Sequence, residues 1–251
     1  NVSRSEGLWR ELLALARQHE DRGREADYLN ELGVLFVNAG QYGKALEHYE
    51  LAHQAHVELG DINHIHDKNN IADVLVRLGR AQEAVPWITQ ALLACDNDWQ
   101  VWRAQFLHTA GVIHMHTKNL LLAKSCFDES LMISQSSAGS RETAVFVLLD
   151  MGRLSLLNSR LHDAICRFED AVKLAGEIHS LVYKREAHKM LARLYRSLHS
   201  DILADEHHEA GLQLDNQMNI LRMTRQMGLM RVEAELEMHR RDWSRELLEL
   251  R

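Results

Sequence analysis

Histidines are the residues of this sequence most capable of chemistry, because neutral imidazole is a common metal ligand. There are sixteen of them, and the close pairs are His53/His56, His64/His66, His114/His116 and His207/His208. Two metal ligands on one helix need a spacing of three or four residues plus further ligands, and only His53 and His56 have that spacing. The HExxH pattern of zinc proteases is absent. We therefore expect surface or groove histidines and predict no metal site.

The cysteines and the nucleophile motifs give no stronger sign of a catalytic site. Cys95, Cys126 and Cys166 lie inside apolar helical patterns, and the sequence contains no CxxC, P-loop, GxGxxG or nucleophile motif. We predict no catalytic residue and no cofactor, and we expect Cys126 and Cys166 to be buried, inert thiols. An odd number of unpaired cysteines favours a reducing, cytoplasmic compartment.

Composition excludes two classes of partner. The chain has 251 residues, of which 46% are hydrophobic and 26% charged, as in an ordinary globular protein. Its formal charge of −7 comes without any block of like charges, so we expect no nucleic acid partner. No apolar run approaches the roughly eighteen residues of a membrane span, so we expect no membrane partner. The chain begins without Met and ends inside a helical pattern, so we expect it to be part of a longer protein.

Small residues recur at a nearly constant period. The first series is Gly33, Ala72, Gly111, Gly152 and Ala192, with steps of 39, 39, 41 and 40 residues. Twelve residues after each comes Ala45, Ala84, Ala123, Ala164 or Ala204. This periodicity predicts a stack of repeats, each made of two helices joined by a tight turn. Gly33 and Ala45 are expected to face each other where the first two helices cross.

The repeats divide the chain into three parts. Residues 1–23 are predicted to form an N-terminal capping helix that ends at Gly23, because a stack needs its apolar end covered. Residues 24–215 are predicted to hold about five repeats, with turns at Ala39-Gly40, Gly60-Asp61 and Leu78-Gly79. Pro86 is expected in the first turns of its helix.

Residues 216–251 are predicted to form one long C-terminal helix. A heptad-like seam runs along it, made of Leu229, Val232, Leu236, His239, Trp243 and Leu250. The seam predicts a homodimer through this helix, which would lead into an output domain beyond residue 251.

The repeats resemble the tetratricopeptide repeat (TPR). That family has small residues at the eighth, twentieth and twenty-seventh positions, which here read Gly33/Ala45/Ala52, Ala72/Ala84/Ala91, Gly111/Ala123/Ser130, Gly152/Ala164/Ala171 and Ala192/Ala204/Gly211. The period near 40 and the missing terminal Pro differ from the common 34-residue form. The resemblance implies an all-α fold, a right-handed superhelix of about five repeats.

The layout as a whole is similar to the sensory half of certain bacterial diguanylate cyclases, in which a charged helix leads into a GGDEF domain. No GGDEF-like stretch occurs in this chain. The similarity implies a non-enzymatic sensory module in cyclic-di-GMP signalling. Two alternatives stay open: a stand-alone adaptor that binds the tail of a partner protein, and the ligand-sensing part of a transcription regulator.

The family's register also implies which residues line the concave groove, where a peptide or protein segment would bind. The candidates are Asn30, Asn38, His66, Asn69, Asp73, Arg77, His108, Met115, His116, Arg153, Lys189, Arg193 and Arg196. This wall grades from amides and histidines to a basic end, which would suit an extended peptide with an acidic terminus.

Overall fold

The computed structural model describes residues 2–95, 99–136 and 140–249, with side chains for 5–95, 99–136 and 140–232. Within these residues every regular element is a helix: α1 Val2–Gln18, α2 Arg22–Asn38, α3 Tyr42–Leu59, α4 His64–Arg77, α5 Ala81–Leu93, α6 Gln100–His116, α7 Leu120–Ser136, α8 Arg141–Leu157, α9 Leu161–Glu177, α10 Leu181–Ser197 and α11 Asp201–Glu249. The prediction of an all-α fold is confirmed. The chain divides into two compact units, residues 1–167 and 168–251.

Consecutive helices of the first unit pack as antiparallel pairs. The pairs α2/α3, α4/α5 and α6/α7 form three helix-turn-helix repeats, and the first helices of neighbouring repeats also meet, α4 with α6 and α6 with α8. This arrangement places α2, α4 and α6 in sequence along one side of the core. Fully buried rings and aliphatic side chains fill the space between the pairs, among them Phe36, Ile71 and Phe106.

One backbone turn closes the paired helices of every repeat. Two residues after the end of the first helix stands a residue with positive φ: Gly40, Gly79, Lys118, Ser159 or His199. The next amide then reaches back five residues, as in Gln41 N–H to the carbonyl of Phe36 and Asn119 N–H to that of His114. These bonds are a Schellman motif, which satisfies the last carbonyls of the helix. The turns predicted at Gly40, Gly60 and Gly79 are confirmed.

The small residues accommodate rings from the partner helix. A Cβ built on Gly33 would lie 2.4 Å from Cε1 of Tyr49, and one built on Gly111 would lie 2.4 Å from Cε1 of Phe127. Such distances are far inside van der Waals contact, so only glycine fits beneath these rings. Tyr49 is therefore the side chain that occupies the space at Gly33.

Three local predictions need correction. Helix α1 ends at Gln18, with Glu20 in the left-handed conformation, and Gly23 lies inside α2 rather than ending the capping helix. Pro86 is the sixth residue of α5, beyond the first turn, so the helix lacks one N–H donor there. No helix boundary lies near residue 216, because α11 is continuous from the second helix of the fifth repeat to Glu249.

Candidate functional site: a polar pocket on the first three repeats

A pocket of about 330 Å³ opens along the first helices of the first three repeats. We call it the polar pocket; its walls are Asp27, Asn30, His56, Asn63, His66, Asp67, Asn69, Asn70, Trp102 and Gln105. Helices α2, α4 and α6 supply eight of these, α3 supplies His56, and the turn before α4 supplies Asn63. Five of the ten carry a side-chain amide, a group that donates and accepts hydrogen bonds.

His56 is one of the two most deeply buried polar side chains of the pocket, with 2% of its surface exposed. Its Nδ1–H donates to Oδ2 of Asp67 at 2.7 Å, and Asp67 is itself 1% exposed. Its Nε2 lies 3.6 Å from Oδ1 of Asp27, beyond hydrogen-bond distance. His56 thus stands between a carboxylate of α4 and a carboxylate of α2.

The pKa of His56 is raised above its usual value. Burial by itself lowers the pKa, but the hydrogen bond to Asp67 and the negative charges of Asp67, Asp61 and Asp27 raise it further than burial lowers it. A neighbouring carboxylate raises the pKa of a histidine both by accepting its hydrogen bond and by its negative charge. Asp67, Asp61 and Asp27 therefore place a negative field around His56.

The asparagines of the pocket are only partly satisfied. Nδ2 of Asn70 donates to Oδ1 of Asn30 at 3.1 Å, which ties α4 to α2. Asn69 is 5% exposed, and its Oδ1 is buried with no hydrogen-bond partner. A buried polar atom without a partner is rare in proteins and often marks a ligand position.

An aromatic wall closes one side of the pocket. The centroid of the His66 ring lies 4.0 Å from the centroid of the Trp102 ring, in an edge-to-face arrangement. It lies 5.5 Å from the centroid of the Trp99 ring, on which it stacks. Burial lowers the pKa of His66, although the charge of Asp67 opposes the shift. His66 is therefore a neutral aromatic surface at pH 7, beside the exposed ring of Trp102.

The structure brings some predicted groove residues together and leaves others apart. Asn30, His66 and Asn69 line the polar pocket. Asp73 and Arg77 pair with each other along α4 at 2.7 Å. The remaining candidates of the first unit lie outside the pocket: Asn38, His108, Met115, His116 and Arg153.

His108 and Arg153 belong to a separate cluster around Asp150. Nε2–H of His108 donates to one carboxylate oxygen at 2.8 Å, and Nη1 of Arg153 donates to the other at 2.6 Å. Burial raises the pKa of Asp150, but these two donors lower it by more, so the carboxylate stays charged. The cluster joins α6 to α8.

In the second unit, the predicted basic residues are partly neutralised. Asp215 of α11 lies 2.8 Å from Nη1 of Arg185 and 3.6 Å from Nζ of Lys189, and Asp205 lies 3.3 Å from Nη2 of Arg196. Arg193 is exposed. Asp205 and Asp215 of α11 therefore neutralise part of the positive charge that was expected to attract an acidic peptide terminus.

The register of the repeats also predicts Asp27 and Gln105 on this inner wall. The other five pocket residues were missed by sequence reasoning: His56, Asn63, Asp67, Asn70 and Trp102. One signal was available for His56. It continues the stripe Ala45, Tyr49, Ala52 at helical spacing, so a polar residue stands at a core position.

The cysteines do not all match their prediction. Cys95 and Cys126 are partly buried thiols, and burial raises the pKa of the Cys126 thiol. Cys166 is exposed, contrary to the expected buried thiol. A second pocket of about 260 Å³ lies beside it, with Lys124, Arg160 and Arg167 on its walls. Among the described residues, no three His, Cys, Asp or Glu side chains are placed to hold a metal ion.

Comparison with known proteins gives the fold. No protein-family model matches the sequence, and no curated protein matches it significantly. Among solved structures, a tetratricopeptide repeat sensor protein from Pyrococcus horikoshii, a Signal Transduction ATPase with Numerous Domains, has a TM-score of 0.65 and 18% identity over 85% of this chain and 32% of its own. The fold is TPR-like.

Two further structures share this TPR-like fold. BtubC from P. vanneervenii has a TM-score of 0.69 and 17% identity, over 87% of this chain and 92% of its own. NprR, solved in complex with its cognate peptide NprX, has a TM-score of 0.66 and 15% identity, over 89% of this chain and 67% of its own. In the described part of the chain, no helix is long and apolar enough to cross a membrane.

Proposed function

We propose that this chain is a peptide-binding TPR module and that the polar pocket is part of its binding surface. The observation that carries the proposal is the combination of a pocket with buried polar atoms that lack partners, Oδ1 of Asn69 and Nε2 of His56. An extended peptide presents N–H and C=O groups in alternation, and the side-chain amides of Asn30, Asn63 and Gln105 can pair with both. The peptide complex of NprR, on a similar fold, supports the same reading.

The bound segment would act on α11 by shifting a conformational equilibrium. The first part of α11 packs on α10, and Ala204 and Leu214 are buried there. From Asn216 to Val232 the helix buries no side chain. An adaptor whose last helix only caps the array would bury this stretch, so the exposure favours a helix that passes a signal onward.

We further propose that α11 pairs with α11 of a second copy and regulates an output domain beyond residue 251, a diguanylate cyclase of the GGDEF type. Bringing two catalytic domains together is the useful event for such an enzyme. Of the seam proposed for this pairing, Leu229 and Val232 are exposed. Leu236, His239, Trp243 and Leu250 lie outside the residues whose side chains the structure describes.

The experiment for the binding proposal starts from peptides selected by display of a random library on the wild-type chain. Their affinities are then measured by fluorescence anisotropy for the wild type and for Asn30→Ala and Trp102→Ala, two changes within the pocket. Gln90→Ala is the matched control, because Gln90 is exposed on α5 and lies outside the pocket. We expect about a tenfold loss for the pocket variants and none for the control. Selected peptides that bind all four proteins equally would contradict the proposal.

A further inference from the structure

The charged groups that line the polar pocket are all acidic except for His56. Asp27 and Asp67 are its carboxylates, and none of its ten lining residues is Lys or Arg. Asp67 is engaged by His56, whereas the side chain of Asp27 is 61% exposed and only approaches His56 to 3.6 Å. Asp27 is therefore the carboxylate of the pocket that is best placed to meet a ligand.

The unsatisfied atoms of the pocket wall are hydrogen-bond acceptors. Oδ1 of Asn69 can only accept. Since the Nδ1–H of His56 donates to Asp67, a neutral His56 carries no proton on Nε2, which is then an acceptor as well. An acceptor buried without a donor destabilises the fold, and a ligand rich in N–H groups would remove that cost.

The field and the wall favour the same kind of group. The carboxylates that raise the pKa of His56, among them Asp67 and Asp27 of the pocket, make the local field negative, and this field would attract a cationic ligand while the ring of His56 is neutral. The exposed ring of Trp102 beside His66 offers a flat π face, which attracts guanidinium and ammonium groups.

We propose that the polar pocket binds a positively charged side chain of the peptide, an arginine in the first place, with Asp27 as its counter-ion and Trp102 covering its plane. The inference rests on the proposed peptide-binding function and names the chemistry of the ligand. Arginine is favoured over lysine because its five fixed N–H donors match several acceptors at once. The segment of the peptide that contacts the first three repeats would therefore carry a basic residue.

The test measures the binding of three probes to the full chain by isothermal titration calorimetry. The first probe is acetyl-Ala-Arg-Ala-amide, and the second is the same peptide with neutral citrulline in place of Arg. The third is agmatine, which carries a guanidinium without a peptide backbone. We expect the Arg peptide to bind about tenfold more tightly than the citrulline peptide. This preference should weaken as salt is added, because an exposed ion pair is screened.

Two variants locate the effect. Asp27→Asn should abolish the preference for Arg over citrulline, while Glu31→Gln should keep it. Glu31 is an exposed carboxylate one turn further along α2 and does not line the pocket, so the two changes remove the same charge from the same helix. Thermal melting of both variants checks that the fold is intact.

Each outcome separates the inference from the function on which it rests. Equal binding of the Arg and citrulline peptides would overturn the cation site and leave peptide binding standing. An Arg preference that survives Asp27→Asn would also overturn it. Agmatine binding that depends on Asp27, without binding of either peptide, would support the cation site and contradict the peptide function. If no probe binds, the inference is wrong.

Discussion

A Cβ placed on Gly111 would lie 2.4 Å from Cε1 of Phe127, and a Cβ placed on Gly33 would lie at the same distance from Cε1 of Tyr49. The equivalent pair in the second repeat is Ala72 and Ile88, also sixteen residues apart. In these three pairs, the first helix carries glycine where the second carries a ring, and alanine where the second carries isoleucine. The volume of each crossing is thus shared between the two residues.

Gly111→Ala should destabilise the chain by about 1–3 kcal/mol, because the added methyl group must displace a buried ring. Urea denaturation followed by circular dichroism measures the change. The control is Gly43→Ala: Gly43 is also helical, but a Cβ there meets nothing within 4 Å. That variant should be neutral or more stable by about 0.5–1 kcal/mol. Equal effects of the two substitutions would contradict the packing argument.

Adding Phe127→Ile to Gly111→Ala recreates the Ala72/Ile88 combination. The double variant should lose less stability than the sum of the two single changes. The smaller isoleucine leaves room for the added methyl group, and that methyl group fills part of the space left by the ring. The coupling energy comes from a double-mutant cycle in urea. Strict additivity would mean that the helices adjust around each change independently.

Asp67→Asn should destabilise the fold more at pH 6 than at pH 8. The pKa of folded His56 is raised, so the stability it contributes is fully present below the unfolded value near 6.5 and is lost as the pH rises through the folded pKa. Removing the charge of Asp67 removes the main cause of this shift. Urea denaturation at both pH values, with an NMR titration of His56, measures it.

The control for this experiment is Asp128→Asn. Asp128 pairs with Lys124 one turn away on the surface of α7, where an ion pair is worth about 1 kcal/mol or less. The loss of stability caused by Asp128→Asn should be small and the same at pH 6 and pH 8. An Asp67→Asn effect that is also independent of pH would show that His56 does not titrate in this window.

His188→Gln should make the chain less sensitive to acid. Nδ1 of His188 lies 3.0 Å from Nδ1 of His207, and burial, followed by the charges of His207 and Lys184, lowers the pKa of His188 to about 4. A lowered histidine pKa means that stability is present above the unfolded value near 6.5 and is lost as the pH falls towards 4. At about 1.4 kcal/mol per pKa unit, the shift from 6.5 to about 4 sets an upper limit of about 3.5 kcal/mol, and solvent screening of the partly buried ring makes the loss smaller than this limit.

Denaturant unfolding at pH 7 and pH 4.5 measures the difference between the wild type and His188→Gln. His162→Gln is the control, since His162 is exposed on α9. A wild-type chain that loses no more stability in acid than His188→Gln would contradict the low pKa.

The sequence predicted the architecture of the repeats well, because small residues, apolar periodicity and turn glycines are local signals. It missed the turns at Lys118, Ser159 and His199, where non-glycine residues adopt the left-handed conformation. Local propensity disfavours that conformation by about 1–2 kcal/mol per residue, and the packing of the paired helices overrides it.

The polar pocket was predicted only in part, for a different physical reason. Register arguments locate residues on one face of α2, α4 and α6, which is enough to find Asn30, His66 and Asn69. They cannot show that His56, from α3, meets Asp67 of α4, because that contact depends on how two repeats stack. The pairing of Lys189 and Asp215 likewise required the structure.

The exposed part of α11 carries an apolar stripe that sequence analysis did not single out. Ile220, Met223, Met227 and Met230 are each more than 60% exposed and follow at steps of three, four and three residues, the spacing of a coiled-coil seam. At about 100° per residue, Leu229 and Val232 lie on the opposite face of the helix. Two different faces are therefore candidates for the proposed dimer.

We predict that the full chain is a dimer and that Met223→Lys with Met227→Lys makes it monomeric, because two charges on each helix would have to enter an apolar contact. Light scattering at several concentrations measures the mass. The matched variant is Leu229→Lys with Val232→Lys, which adds the same charge on the opposite face. Dissociation by that variant alone would assign the seam to the face named from the sequence. A wild-type monomer would contradict dimerisation through α11, whichever face is considered.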